Sequence, residues 1–154
     1  MARVDYREGT WFAVPLRDGG FGVGVVARAN VGGVLLGYFF GPKHAEVPEL
    51  SNLAGLRADD AALIAMFGHL GLKRGDWPVL GRLAGWDRRE WPIPVFVRHE
   101  ELSGRSFQVF YDDDDDANKV IREVQVPPSE AGQGPKDGLM GAGFTEKVLT
   151  TLLG

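Results

Sequence analysis

Five consecutive carboxylates, Asp112 to Asp116, are the residues of this sequence with the greatest capacity for chemistry. A calcium-binding loop places acidic side chains at alternating positions around a central glycine, and this run has no such glycine. Because like charges repel one another, a run of this kind stays in solvent. The run is therefore typical of a hairpin tip, and it would offer concentrated negative potential to a basic partner.

A second group of candidate binding residues combines tryptophan with arginine. Trp77, Trp86 and Trp91 alternate with Arg82, Arg88 and Arg89, and Trp and Arg are enriched among the residues that dominate binding energy. Trp is also highly buried on average, so we expect Trp77 in the core, whereas Trp86 and Trp91 suit either core or surface. The segment from Trp86 to Trp91 is interpreted as a loop with two exposed-edge aromatics. The predicted partner-binding residues are Asp112, Asp113, Asp114, Asp115, Asp116, Trp86, Arg88, Arg89 and Trp91.

The sequence contains no recognisable catalytic, metal-binding or cofactor-binding motif. His44, His69 and His99 lack zinc-hydrolase spacing, and whether they converge in space stays open. The triplet beginning at His44 has the letters of a deaminase His-x-Glu, but those enzymes need cysteines and the chain has none. No serine lies in a Gly-x-Ser-x-Gly elbow. Gly22 to Ala27 has the letters of a dinucleotide fingerprint, but it lies inside a predicted strand. We therefore predict no catalytic residue, no metal and no cofactor.

Length, composition and charge limit the classes to which the protein can belong. The 154 residues suit one domain, 1–154, and 44% hydrophobic with 25% charged residues is typical of a globular fold. A net charge of −4 repels nucleic acid. The absence of cysteine fits a reducing compartment. The start of the chain, Met1 to Tyr6, lacks the apolar core of a signal peptide, and the longest apolar run, Val31 to Gly41, is too short for a membrane span. These features predict a cytoplasmic protein without nucleic-acid or membrane partners.

Period-two alternation between turn residues predicts a mainly β (α+β) fold. Residues 59–67 are compatible with helix or strand, but Gly68 and Gly71 would allow scarcely two helical turns, which favours a strand. At the end of the chain, helical spacing of apolar residues from Phe144 to Leu153 predicts a short helix with Thr145 as N-cap. We predict a strongly curved antiparallel sheet or small β-barrel with this helix against it. The other predicted strands are Thr10 to Leu16, Phe21 to Ala27, Val34 to Phe40, Val79 to Arg82, Ile93 to His99, Ser106 to Tyr111 and Lys119 to Val126.

Dispersed glycines and aromatics between Tyr6 and Val126 resemble immunity protein family twenty-six of bacterial polymorphic toxin systems. The segments that carry the resemblance are Gly9 to Leu16, Phe21 to Val26, Phe67 to Gly81 and Tyr111 to Asp113. Thr10 and His69 stand where members of that family usually have Asp.

The resemblance implies a protein that binds a cognate toxin domain and blocks it without catalysis. The acidic character of the chain would then steer a basic toxin by long-range attraction. The same family label is shared with a small phosphotriesterase-type annotation, so a metal-dependent hydrolase that uses the three histidines or the acidic run is an alternative. A general protein-interaction module is a further alternative.

Overall fold

The computed structural model of the chain describes residues 6–30, 32–113 and 119–154. Regular secondary structure in these residues is mainly β, as predicted from the sequence. The strands are β1 (Thr10–Pro15), β2 (Phe21–Ala29), β3 (Val34–His44), β4 (Leu63–Gly68), β5 (Val79–Arg82), β6 (Phe96–Glu100), β7 (Arg105–Tyr111), β8 (Val120–Val126) and β9 (Leu139–Met140). The helices are α1 (Leu70–Lys73) and α2 (Ala142–Leu153).

The described strands form two open sheets rather than a closed barrel. The large sheet has the strand order β5-β1-β2-β3-β4-β9, and the small sheet has the order β6-β7-β8. Neighbouring strands are antiparallel except β9, which pairs in parallel with β4. The predicted antiparallel sheet is therefore present, whereas the barrel alternative is wrong.

The large sheet is covered on both faces, since consecutive residues of its central strands, Val23 to Ala27 in β2 and Leu35 to Phe40 in β3, are buried. On one face, Trp11 and Tyr38 pack in a cluster with Phe96 and Val109 of the small sheet. On the other face, side chains that include Phe12 pack with α1, α2 and the residues between β4 and β5. Because successive side chains of a strand point to opposite faces of the sheet, neighbouring residues of each central strand pack in two separate cores.

Glycines inside the central strands make room for aromatic rings. A Cβ atom added to Gly24 would lie 2.6 Å from Phe12 Cζ, and one added to Gly37 would lie 2.6 Å from Phe67 Cε1. Such distances are too short for ordinary carbon contacts. The letters of the dinucleotide fingerprint, Gly22 to Ala27, lie within β2, as the sequence interpretation required.

Residues 63–68 form a strand, as favoured, while Asp59 and Asp60 end a short 3-10 helix, Ala58–Asp60. The strand predicted from Ile93 begins at Phe96 because Pro92 and Pro94 cannot donate ladder hydrogen bonds.

The prediction of Thr145 as N-cap is wrong. Helix α2 begins at Ala142 after Gly141, and Thr145 Oγ1 donates to the Gly141 carbonyl at 2.9 Å from inside the first turn. Only part of the predicted apolar face is covered, since Leu149 is buried whereas Phe144 and Leu152 are exposed. Among the described residues, none of the helices has the length and apolar character needed to cross a bilayer.

Candidate functional site

A buried arginine connects the two sheets. Arg28 lies near the end of β2, after a register shift against β3, and is only 2% exposed. Its Nε donates to Asp113 Oδ1 at 2.6 Å, and its Nη1 donates to the Ala27 carbonyl at 2.6 Å. Its Nη2 donates to the Arg88 carbonyl at 3.3 Å. A buried guanidinium needs such partners, because an unpaired charge in the core is strongly destabilising.

Three further charged side chains complete this group, which we call the charged junction: Glu8, Arg28, Arg88 and Asp113. Arg88 Nε lies 3.0 Å from Glu8 Oε1, and Arg88 Nη2 lies 3.5 Å from Asp113 Oδ1. The contact with Glu8 is an ion pair without hydrogen-bond alignment, since Arg88 Nε has no hydrogen-bond partner among the described residues. The junction therefore ties the chain before β1, the segment before β6 and the end of β7 to strand β2.

Asp113 stays ionised in this arrangement. Its pKa is lowered below the ordinary value mainly by the hydrogen bond from Arg28, with burial acting in the opposite direction and the charges of Arg28 and Arg88 adding to the lowering. Two arginines thus face two carboxylates in the junction. The Asp113 side chain is nevertheless 58% exposed, so part of it contacts solvent while it is paired with Arg28.

The acidic run connects β7 to β8, as expected for a hairpin. The Asp112 amide donates to the Lys119 carbonyl at 2.8 Å and closes the stem of this hairpin. Asp114, Asp115 and Asp116, which were also predicted to bind the partner, lie outside the described residues. Counted from Asp112, Glu123 occupies the distal position of a calcium-binding loop, but it accepts a hydrogen bond from Arg98.

The tryptophans divide between packing and surface. Trp77 is completely buried and stacks on Phe12 and Phe67, which confirms its predicted place in the core. Trp91 is 7% exposed, and Trp11 lies edge-on to it. Trp86 is half-buried and stacks on Trp91 with 5.7 Å between ring centroids. The expectation of an exposed aromatic edge is therefore wrong for Trp91, because the small-sheet side of the core needs its ring.

Trp86 joins the charged junction, whereas Arg89 lies apart from it. Trp86 Nε1 donates to Glu8 Oε1 at 3.3 Å. The Arg89 side chain is 88% exposed and pairs with Asp87, whose carboxylate also accepts from the Arg89 amide at 3.0 Å. The hydrogen bond from Arg89 is the main cause that lowers the pKa of Asp87. Arg89 therefore belongs to the rim of the Trp86 to Trp91 loop.

Two clefts flank this loop and share Leu56, Glu90 and Trp91 in their walls. The larger cleft, of about 610 Å³, lies on the side of Asp59 and Arg89. The smaller cleft, of about 360 Å³, lies on the side of Trp86. Both are open surface depressions that could receive side chains of a partner.

The structure does not bring the three histidines together. His69 Nδ1 lies 2.6 Å from Tyr6 Oη, and His99 Nδ1 lies 2.9 Å from Ser106 Oγ. His44 ends β3. Within residues 6–30, 32–113 and 119–154, no group of three or more His, Cys, Asp or Glu side chains has an arrangement that could hold a metal ion.

Two members of the junction were not among the predicted site residues. Glu8 lies before the first strand and gives no distinctive sequence signal. Arg28 was detectable, because it follows a strand that is apolar from Val23 to Ala27, and a charge in such a position requires a partner. The partner itself could not be read from the sequence, since Asp113 is 85 residues away.

Fold and site together define a small, mainly β protein with a charged junction at the stem of the hairpin that joins β7 to β8. The family model of Immunity protein 26 matches residues 7–108. This match covers more than half of the chain, and the chain therefore belongs to that family, as its motifs indicated. The matched region includes Glu8, Arg28 and Arg88, and it ends before Asp113. No curated protein and no solved structure matches the chain.

Proposed function

We propose that this protein is a bacterial immunity protein that binds a cognate toxin domain in the cytoplasm and neutralises it without catalysis. Membership of the Immunity protein 26 family is the observation that carries the proposal. A toxin-binding protein of this kind needs a surface that is preformed and complementary in charge, because ordering the surface on binding would cost affinity. The charged junction supports such a surface.

The junction would keep the binding groups in place before the toxin arrives. Arg28 anchors Asp113 from within the large sheet, and Arg88 links Asp113 to Glu8. The Trp86 to Trp91 loop and the stem of the acidic hairpin are therefore fixed to the same rigid base. We assign partner contact to Trp86, Arg88, Arg89 and the acidic run Asp112 to Asp116, while Trp91 supports the loop from below.

The acidic run would act mainly on the rate of association. Exposed charges of one sign accelerate the approach of an oppositely charged partner, and salt screens this effect over a Debye length of about 8 Å at physiological ionic strength. We therefore infer a basic surface on the toxin. Neutralisation would follow from covering the surface with which the toxin acts.

Co-expression provides the first test of this proposal. The chain should restore growth to cells that express its cognate toxin domain, and the purified proteins should form a stable complex. A chain that neither binds nor protects against the toxin encoded beside it would contradict the proposal.

Charge-removing variants test the acidic surface separately. Asp112, Asp114, Asp115 and Asp116 are changed to Asn while Asp113 is kept, because Asp113 holds the buried Arg28. We expect association with the toxin to slow by about tenfold at low salt, and the difference from the wild type to shrink as salt is added. The matched control changes four exposed carboxylates elsewhere, Glu46, Glu49, Glu101 and Glu130, to Gln. If the two variants slow association equally, the net charge of the chain and not the acidic run accelerates toxin binding.

A further inference from the structure

The smaller cleft beside the Trp86 to Trp91 loop has walls that packing already holds in place. Trp91 is buried, and Trp86 stacks on it with 5.7 Å between ring centroids. A Cβ atom added to Gly9 would lie 3.0 Å from Trp86 Cγ, so the backbone at Gly9 also packs against this ring. Trp86 cannot turn without losing these contacts, and the cleft is therefore formed before any partner binds.

Most of the cleft wall is apolar. Its volume of about 360 Å³ lies near the lower end of the range for ligand pockets, which is about 300–1,000 Å³. A space of this size suits one long side chain that lies along the walls. Besides the two tryptophans of the loop, the apolar wall consists of Trp11, Ala54, Leu56, Leu83 and Ala84.

The charged groups of this cleft are acidic. Among the described residues that line it, these are Asp87 and Glu90. The Asp87 carboxylate is neutralised by Arg89, which donates to it from Nε at 3.1 Å and from Nη2 at 3.0 Å.

Glu90 is left without such a partner. It is exposed, and its carboxylate makes no hydrogen bond and no ion pair with the described part of the chain. The pKa of Arg89 is raised mainly by the hydrogen bond with Asp87, and the charge of Glu90 contributes to this rise through space. One negative charge at the cleft is thus available to a cation from outside.

The larger cleft on the other side of the loop lacks this excess of negative charge. Arg57 and Arg89 line it together with Asp59 and Glu90, so the formal charges of its described wall cancel. Only the smaller cleft therefore favours a cation. A basic side chain that entered it would bury its aliphatic stem against the apolar wall and keep its charged end at Glu90. Arginine suits this position better than lysine, because its guanidinium is planar, more weakly hydrated and able to bind a carboxylate through two hydrogen bonds.

We propose that the smaller cleft receives an arginine side chain of the cognate toxin, and that the guanidinium pairs with Glu90. The inference rests on the proposed function, since it names the group by which the toxin is recognised. The toxin surface would exclude water from this pair. Loss of a pair that is buried in an interface mainly accelerates dissociation, whereas loss of an exposed charge at the rim mainly slows association.

The first test removes the charge of Glu90 and keeps the size of its side chain. Glu90→Gln should increase the rate of dissociation from the toxin by about tenfold and change the rate of association little. In the matched control, Glu101→Gln, the same substitution is made at an exposed residue in the turn between β6 and β7, and both rates should be those of the wild type. Surface plasmon resonance measures the rates. Thermal unfolding of both variants verifies that the fold is retained.

The second test identifies the occupant by double-mutant cycles. Each exposed arginine of the toxin is changed to Gln and measured against the wild-type chain, Glu90→Gln and Glu101→Gln. We expect one toxin arginine whose loss weakens binding to the wild type by about tenfold and has little further effect on Glu90→Gln. The same arginine should show no coupling with Glu101→Gln.

The possible results separate the inference from the proposed function. A wild-type chain that does not bind the toxin overturns both. Wild-type binding with wild-type dissociation of Glu90→Gln overturns the arginine cleft and leaves the proposed function standing. Faster dissociation of Glu90→Gln without a coupled toxin arginine also overturns the inference, since another kind of group would then occupy the cleft. Sedimentation equilibrium of the chain alone addresses a second copy as occupant, because a dimer that Glu90→Gln dissociates would contradict the inference.

Discussion

Strand β2 of the large sheet has seven consecutive buried residues, whereas none of the seven residues of β8 in the small sheet is buried. Both strands pair antiparallel with their neighbours. The large sheet is enclosed between the small sheet and the helices, so packing alone explains nearly every side chain in its central strands. The small sheet has only one face in the core, and packing leaves the β8 edge and the acidic hairpin unexplained.

This difference suggests two roles: the large sheet is the scaffold of the fold, and the small sheet offers the exposed surface. The charged junction attaches the stem of the hairpin and the Trp86 to Trp91 loop to the large sheet, because Arg28 of β2 bonds to Asp113 and to the Arg88 carbonyl. Residues that packing does not require are the better candidates for binding. Variants that perturb one sheet at a time test whether the two sheets differ in this way.

The largest effect is expected from a cavity beside the large sheet. Trp77→Ala removes a fully buried ring that stacks on Phe12 and Phe67, so the free energy of unfolding should fall by about 3–5 kcal/mol. Urea denaturation measures it. Ile121→Ala in β8 is the comparison and should change the free energy of unfolding by about 0.5 kcal/mol or less. Similar losses for both variants would contradict the division into scaffold and surface.

Overpacking of the same sheet should be the next most damaging change. Gly37→Ala adds a Cβ atom 2.6 Å from Phe67 Cε1, and displacement of the ring should lower the free energy of unfolding by about 1–3 kcal/mol. Gly55→Ala is the control, because no atom lies within 4 Å of the added Cβ there. If Gly37→Ala unfolds at the same denaturant concentration as Gly55→Ala, the tight packing described for the large sheet is wrong.

The charged junction should couple the two sheets by a smaller amount. A double-mutant cycle with Arg28→Met and Asp113→Asn should give a coupling energy of about 1 kcal/mol, since the hydrogen bond is charge-assisted but the Asp113 side chain is largely exposed to screening solvent. Denaturation of the four proteins of the cycle measures this coupling. Additive losses would show that Arg28 does not hold the hairpin through Asp113.

The pH dependence of this pair has a defined sign. The pKa of Asp113 is lowered by folding, so the native state favours the ionised carboxylate and the pair stabilises the fold fully above the unfolded pKa of about 4. The stabilisation is lost as the pH falls through the lowered, folded-state pKa. The difference in stability between wild type and Asp113→Asn should therefore be constant near neutral pH and shrink below about pH 4. A difference that persists at the acidic end would contradict the assignment.

If the protein is a metal-dependent hydrolase, it should hydrolyse a phosphotriester. If it acts only by binding a toxin, it should have no such activity. The purified chain, supplied with Zn²⁺ or Mn²⁺, should hydrolyse an activated phosphotriester no faster than the metal in buffer. His99→Gln, which removes the partner of Ser106, serves as comparison. Turnover that falls in this variant would support the enzyme and contradict the binding account.

Local patterns were sufficient to predict much of the scaffold. Apolar patterns between turn residues placed β1 to β3 correctly, and the burial expected for Trp77 is confirmed. The barrel was wrong because closure depends on non-local pairing, such as that of β5 with β1, which no local pattern encodes. Thr145 was misplaced because Gly141 leaves helix α2 without a capping side chain and thus without a start signal.

The candidate site was less accessible to sequence reasoning. The acidic run and Arg88 were singled out because both were unusual in composition, and the structure places Arg88 Nη2 3.5 Å from Asp113 Oδ1. Their meeting through Asp113 depends on Arg28, which contacts a residue far away in the chain. The burial of Trp91 was left open, and an exposed edge was expected for it, because nothing local shows that Trp11 and Tyr38 lie against its ring.

Hydrogen exchange of the chain with and without its toxin tests most directly whether the Trp86 to Trp91 loop belongs to the recognition surface. The account predicts that amides of this loop and of Leu83 to Gly85 exchange more slowly in the complex, while those of α2 are unchanged. Slower exchange along α2, with the loop unaffected, would contradict it.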